Sequence, residues 1–300
     1  MEAFLQQLIN GIQYGSIYAL IAVGYTMVYG VLRLINFAHG DVYMLGAFVA
    51  YYIIVGLQID KHPSVGNFVF VLLMCMLVCA VVGMLIERLA YRPIRHAPRL
   101  TALITAIGVS LLLENGGIVV FGADPKYIPT IIEPAQAGES GLFVSVGQMI
   151  MLVVSLVFMV ILRFIVMNTR FGRAMRAIAY DMDAARLMGI HVDRVIALTF
   201  ALGSALAGAA GMMVATFTSV KITPLFGLLP GVKAFVAAVL GGIGNIPGAV
   251  LGGLLMGVIE AFVGGSALTT YRDAIAFLIL ILVLLLRPSG ILGKAVTEKV

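Results

Sequence analysis

Five polar side chains stand within or beside long apolar stretches, where they could meet a polar or charged solute. They are Asn36, His39, Asp41, Glu114 and Glu260. A carboxylate that is buried away from water needs a hydrogen-bonding or charged partner, or else it stays protonated. Glu114 and Glu260 therefore predict one of two arrangements, which are hydrogen bonds between helices or contact with the ammonium group of a solute.

Asn36, His39 and Asp41 lie where two apolar runs meet, and two interpretations of them remain open. Ionisable groups within a membrane usually face a cavity or a partner, so these residues could line a translocation path or its gate. Alternatively, they belong to a short cytoplasmic loop whose polar groups cap the helix ends, with Asp41 as an N-cap. Elsewhere, Lys233 and Arg272 flank predicted outward loops and are interpreted as anchors at the membrane interface.

No group of residues in the sequence is typical of catalysis, metal binding or nucleotide hydrolysis. The chain lacks the G-x-x-x-x-G-K-[ST] pattern, so we expect it not to hydrolyse ATP itself. Groupings of Ser, His and Asp or of Cys and His are also missing, and no second metal ligand is placed near His39. Cys75 and Cys79 lie in an apolar run and are interpreted as small buried residues. We therefore predict a chain that is not an enzyme and that binds no metal or cofactor.

The composition is typical of a chain embedded in lipid. Hydrophobic residues make up 62% of the sequence and charged residues 11%, with a mean hydropathy of +1.10. Soluble domains carry roughly 25% charged residues, and a helix that crosses the bilayer core needs about 20 mainly apolar residues. The predicted spans are residues 4–28, 41–57, 67–86, 100–121, 142–162, 195–219 and 274–286. The fold class is therefore an all-α, polytopic bundle of transmembrane helices that forms one domain over residues 1–300.

A further apolar region, residues 232–263, is interrupted at Gly242, Gly244 and Pro247. The interruption is either a tight turn between two short spans or the end of a re-entrant half-helix near residues 241–248. Irregular backbone at membrane depth is tolerated only where protein or a water-filled cavity covers it. We therefore predict eight or nine crossings. Broken helices and buried charges also occur in ion-coupled secondary transporters, so such a transporter of a small apolar solute is the alternative function.

Positive charge is concentrated in three segments, which the positive-inside rule assigns to the cytoplasm. Their basic residues are Arg88, Arg92, Arg95 and Arg99, then Arg163, Arg170, Arg173, Arg176, Arg186 and Arg194, and finally Arg287, Lys294 and Lys299. The loop 122–141 instead holds three carboxylates and one lysine, so we expect it to face outward. The C-terminus is thus predicted to be cytoplasmic, and the net charge of +5 does not indicate nucleic-acid binding.

A polar segment within the predicted cytoplasmic loop of about residues 168–194 has the pattern of a short helix. Its residues are Asp181, Ala184, Ala185, Arg186, Leu187, Met188 and Gly189. Asp181 is placed to N-cap the helix and Gly189 to end it in a left-handed conformation, while Ala184, Leu187 and Met188 share one face. Two turns are marginal in water, so this helix needs a surface to rest on. A groove on a cytoplasmic partner and the ends of the chain's own membrane helices would both serve.

Five stretches of the chain resemble, in order, the permease subunit of the bacterial high-affinity branched-chain amino acid ABC importers. They are residues 35–44, residues 87–93, the polar segment ending at Gly189 and Ile190, residues 238–248 and residues 287–293. Each stretch is weak evidence alone, but together they extend from the first predicted span to beyond the last.

The resemblance implies a subunit in the bacterial inner membrane that moves leucine, isoleucine or valine into the cytoplasm. In this family a second, related permease pairs with the first, and a periplasmic protein delivers the amino acid. Two ATPase subunits, which carry the ATP and Mg²⁺, bind the cytoplasmic side. The polar segment corresponds to the loop that receives the ATPase, so the resemblance favours a groove on a partner as its resting surface.

Overall fold

The chain folds into a bundle of α-helices, which confirms the predicted fold class. The computed structural model describes residues 2–95, 97–129, 131–132, 136–137, 144–218 and 220–293. The helices are α1 (Glu2–Leu32), α2 (His39–Gly56), α3 (Val65–Ile86), α4 (Arg99–Phe121), α5 (Val146–Asn168), α6 (Arg170–Tyr180), α7 (Met182–Leu187), α8 (Val192–Phe217), α9 (Leu228–Gly241), α10 (Ile246–Gly264) and α11 (Arg272–Leu286). Two short strands, β1 (Gln136–Ala137) and β2 (Val144–Ser145), pair in the loop before α5. Lys294, Lys299 and part of the loop 122–141 lie outside the described residues.

Among the residues that the structure describes, eight helical segments are long and apolar enough to cross a membrane. Seven of them, built on α1, α2, α3, α4, α5, α8 and α11, correspond to the seven predicted uninterrupted spans, and the eighth is α10. The π-helical turn Glu87–Tyr91 and the 3₁₀ turn Thr269–Tyr271 extend α3 and α11. The chain is therefore a multi-pass membrane protein.

Helices α1 and α8 lie at the centre of the bundle, and small residues let their neighbours approach closely. A Cβ atom on Gly15 of α1 would lie 2.7 Å from the Cα atom of Leu254 in α10, and Gly11 faces Val258 in the same way. Helices in lipid gain little from hydrophobic burial against each other and associate by close packing at such residues. In contrast, α4 and α11 expose large apolar side chains such as Val119 and Leu285, which suits a lipid-facing surface.

The interruption in the region 232–263 separates a short helix, α9, from the full-length α10. With 14 residues, α9 is about 21 Å long, which is less than the roughly 30 Å of a bilayer core. Gly242 and Gly244 adopt φ values of +105° and +93° in the turn, and Asn245 caps α10 by accepting a hydrogen bond from the Gly248 N–H. Pro247 lies in the first turn of α10. Of the two predicted arrangements, α9 therefore matches the half-helix.

The backbone segment that follows α11 covers the end of this half-helix. The N–H groups of Ile291 and Leu292 donate to the carbonyls of Leu240 and Gly241, at 2.9 and 3.1 Å. The side-chain amide of Asn245 donates to the Leu292 carbonyl at 2.7 Å. Because the last carbonyls of a helix have no partner within it, these bonds satisfy groups that the break would otherwise leave unpaired.

Candidate functional site

The short helix α7 has the ends that the sequence predicts. The Asp181 carboxylate accepts hydrogen bonds from the N–H groups of Asp183 and Ala184, at 3.0 and 2.9 Å. Gly189 has a φ of +82° just beyond the last turn, and the Ile190 N–H donates back to the Ala185 carbonyl at 3.1 Å. Both caps are confirmed, and the helix between them, α7, has six residues.

The apolar face of α7 points away from the rest of the chain. Leu187 and Met188 are 88% and 83% exposed, and Tyr180 at the end of α6 is 91% exposed. Ala185 is buried and packs α7 onto the bundle. Within the described part of the chain, the predicted face therefore does not rest on the membrane helices. We call Tyr180, Leu187 and Met188 the exposed apolar patch.

The remaining predicted residues of this segment are also accessible. Ala184 and Arg186 are exposed, and the Arg186 guanidinium lies 3.6 Å from the exposed Asp183 carboxylate. Tyr180 was not among the predicted residues, although an aromatic residue within an otherwise polar stretch was a signal for it. Ala185 was predicted as part of the interaction segment, but it faces inward and contributes packing instead.

The start of α2 lies inside the bundle, which excludes a solvent-exposed cytoplasmic loop at Asn36, His39 and Asp41. All three residues are buried. The His39 ring lies against Gly24, where a Cβ atom would come within 2.7 Å of the ring. Gly24 is eight residues before the end of α1, or about 12 Å along that helix. The chain therefore returns into the bundle before α2 begins.

Each of these three side chains has a different environment. The Asn36 side-chain oxygen accepts a hydrogen bond from the Tyr91 hydroxyl at 3.0 Å. The His39 ring packs against Tyr25, with ring centroids 4.5 Å apart, and its Nε2 atom has no hydrogen-bond partner among the described residues. Asp41 accepts a hydrogen bond from the Ser110 hydroxyl of α4 at 2.5 Å.

The predicted N-cap role of Asp41 is wrong. Helix α2 begins at His39, so Asp41 is its third residue, and the N-cap position belongs to Ala38, which makes no side-chain cap bond. The Asp41 carboxylate reaches across to α4 instead. Glu114, also on α4, is buried and lies one helical turn after Ser110.

Glu260 belongs to a separate cluster between α9, α10 and α11. The Lys233 ammonium lies 2.8 Å from the Glu260 carboxylate and 2.6 Å from that of Asp273. The Arg272 guanidinium also reaches Glu260, at 3.1 Å. Lys233 is thus buried in an ion-pair network, and the Glu260 carboxylate joins helices, which is the first of the two arrangements predicted for it. The structure brings together Asn36, His39, Asp41 and Glu114, but not Glu260.

Helices α2 and α9 meet at their N-terminal ends. A Cβ atom on Gly40 would lie 2.7 Å from the Gly227 carbonyl oxygen, and one on Gly231 would lie 2.7 Å from the Gly40 Cα atom. Phe235 of α9 also packs against Tyr25 and Phe37. The half-helix therefore closes directly onto the buried polar start of α2, a contact that the sequence did not predict.

Comparisons with known proteins agree on one family. A sequence profile of the family described as branched-chain amino acid transport system / permease component matches residues 7–284. The high-affinity branched-chain amino acid transport system permease proteins LivH of Salmonella typhimurium and BraD of Pseudomonas aeruginosa are each 45% identical to the chain over 302 residues, covering 99% of it and 98% of the relative. A probable branched-chain amino acid transport permease of Methanocaldococcus jannaschii is 30% identical over 306 residues, covering 95% of the chain and 91% of the relative.

Proposed function

The chain belongs to the family of permease components of branched-chain amino acid transport systems, and we propose that it forms part of the pathway of an ATP-driven importer. The solutes are leucine, isoleucine and valine, which move into the cytoplasm across the inner membrane. The chain itself is a transport subunit and not an enzyme. Two ATPase subunits hold the ATP and Mg²⁺, a second related permease completes the pathway, and a periplasmic binding protein delivers the amino acid.

The exposed apolar patch is the observation that carries this proposal. Its large apolar side chains, on a capped and otherwise polar helix, are left exposed by the part of the chain that the structure describes, and a cluster of exposed apolar groups marks an interaction site. The surrounding segment is rich in arginine, so the positive-inside rule places it, together with the C-terminus, in the cytoplasm. A hydrophobic groove on an ATPase subunit is the partner that fits both the location and the chemistry.

Substitution of one patch residue tests the docking role. We expect Leu187→Asp to abolish ATPase binding and leucine uptake, because it places a charge in an apolar contact, while the permease still inserts into the membrane. The matched control is Leu187→Met, which keeps the apolar area and should preserve both activities. Copurification of the ATPase and uptake of labelled leucine are the measurements. Normal binding and uptake by Leu187→Asp would contradict the proposal.

The buried start of α2 is the proposed part of the translocation path in this chain. The Asp41 and Glu114 carboxylates suit the ammonium group of an amino acid, and the nearby rings of Tyr25, Phe37 and Phe235 suit an aliphatic side chain. The contact between Gly40 and α9 closes this path, so transport requires α9 to move away from α2. Asn36 and His39 belong to the same buried segment and are included in the proposed path.

An ion-coupled secondary transporter is not favoured by the family to which the chain belongs. That alternative predicts uptake by this chain alone, driven by an ion gradient in liposomes without any ATPase. The proposed importer predicts uptake only when the ATPase subunits and ATP are present. A single reconstitution, with and without the ATPase subunits, therefore separates the two functions.

A further inference from the structure

We propose that Arg95 and Tyr91 are positioning residues. They connect the ATPase-docking segment, which is the polar segment of residues 181–189, to the buried start of α2. This inference rests on the proposed docking function. It concerns a series from Asp193, just after the docking segment, to Asn36, just before α2, in which two sets of polar contacts are joined by the backbone of the π-helical turn Glu87–Tyr91. We call this series the polar relay, and its members are Asp193, Arg95, Glu87, Tyr91 and Asn36.

The first half of the relay is a chain of ion pairs. Asp193 lies in the first turn of α8, four residues after Gly189. Its carboxylate is 2.6 Å from the Arg95 guanidinium, which in turn is 2.7 Å from the Glu87 carboxylate. Glu87 is fully buried and Arg95 nearly so. Because an uncompensated buried charge is costly, Arg95 should remain paired with Glu87. The Asp193 side chain is 54% exposed, so a shift of α8 either carries Arg95 with it or breaks only the pair with Asp193.

The second half of the relay begins in a π-helical turn. Glu87 is the first residue of this turn and Tyr91 is the last, and the Arg92 N–H closes it by donating to the Glu87 carbonyl at 2.7 Å. Such turns are rare and occur frequently at functional sites. The Tyr91 hydroxyl then donates to Asn36 at 3.0 Å, so one rigid turn carries both the acid that holds Arg95 and the donor that holds Asn36.

The geometry gives the relay a specific role in coupling. When an ATPase moves the docking segment, the displacement passes through Arg95 to the π-helical turn and through Tyr91 to the segment before α2. Asn36 also fixes the start of α2 directly, because its backbone carbonyl accepts the His39 N–H at 3.1 Å. Loss of the relay should therefore leave ATPase binding intact and reduce the amount of leucine moved per ATP hydrolysed.

A double-mutant cycle in the fully assembled transporter tests the relay. The variants are Tyr91→Phe, which keeps the ring that packs on Phe200, Asp193→Asn, and the two combined. Leucine uptake and ATP hydrolysis are measured together in proteoliposomes. We expect each single variant to lower the ratio of leucine to ATP by about fivefold, the size of effect expected of one hydrogen bond. The combined variant should fall no further than the stronger single variant, because both changes interrupt the same series of contacts.

The matched control is Arg88→Gln. Arg88 lies in the same π-helical turn but its side chain is exposed, so this variant should keep the ratio of the unaltered protein. Two results would overturn the inference while ATPase binding persists: an unchanged ratio in Tyr91→Phe, or multiplication of the single effects in the combined variant. Failure of the ATPase to bind the unaltered permease would overturn the proposed function and the relay together.

Discussion

Two of the buried acidic centres of this permease differ in what neutralises them. Glu260 lies against the Lys233 ammonium and the Arg272 guanidinium, and this cluster joins α9, α10 and α11. Asp41 lies on α2, and Glu114 lies on α4 one turn after the Ser110 that donates to Asp41. Within the described part of the chain neither carboxylate forms an ion pair. The same chemical group is thus paired in one place and left without a cation in the other.

This difference separates a structural role from a transport role. A buried carboxylate that two cations already neutralise offers little to a passing solute. A buried carboxylate without a cation is costly, and such groups persist in membranes where they serve function. Glu260 therefore holds helices together, whereas Asp41 and Glu114 are the carboxylates that we propose to meet the ammonium group of a transported amino acid.

The largest effect is expected at the paired centre. Glu260→Ala should destabilise the folded protein by up to about 3–5 kcal/mol, because it removes the buried acid and leaves the buried Lys233 with only the half-exposed Asp273. Thermal unfolding in detergent measures this change. As a control, the combined variant Lys233→Met and Glu260→Leu should recover most of the stability, since an apolar pair often replaces a buried ion pair at little cost. A combined variant as unstable as Glu260→Ala would argue against the ion-pair explanation.

The unpaired centre should respond in the opposite way. Asp41→Asn and Glu114→Gln are expected to keep or raise the free energy of unfolding, because each removes a buried charge that has no cation. Leucine uptake should fall about tenfold, the equivalent of one hydrogen bond to a charged group. Glu260→Gln is the matched amide substitution and should lose stability. If Asp41→Asn unfolds as readily as Glu260→Gln, the distinction between the two centres is wrong.

The smallest effect is expected at the rim of the paired centre. Asp273 lies 2.6 Å from Lys233, but its side chain is 51% exposed. Asp273→Asn should therefore cost less than about 1 kcal/mol, as water and salt screen exposed ion pairs. Unfolding temperatures at low and high salt provide the measurement, and the difference from the unaltered protein should shrink as salt rises. A loss similar to that of Glu260→Ala would show that exposure does not weaken this pair.

Helix α7 could be predicted because the residues that begin and end it lie close together in the sequence. The Asp181 cap bonds span only two and three residues, and Gly189 is needed where the backbone turns left-handed, so both signals lie within one short stretch of sequence. The direction in which the exposed apolar patch faces could not be predicted in this way. Leu187 and Ala185 are close neighbours in sequence, and only the packing of α7 on the bundle shows which of them is exposed.

The sequence by itself determined the spans, the helix break and the caps, since apolar length, glycine and proline positions and short-range hydrogen bonds act along the chain. Tertiary structure decided which polar groups meet. Lys233 and Glu260 are 27 residues apart, and Asn36 and Tyr91 are 55 apart. No periodicity connects such positions, because the partner of a buried charge depends on how the helices pack. For this reason one glutamate, Glu260 of α10, is held in ion pairs, whereas another, Glu114 of α4, forms none within the described part of the chain.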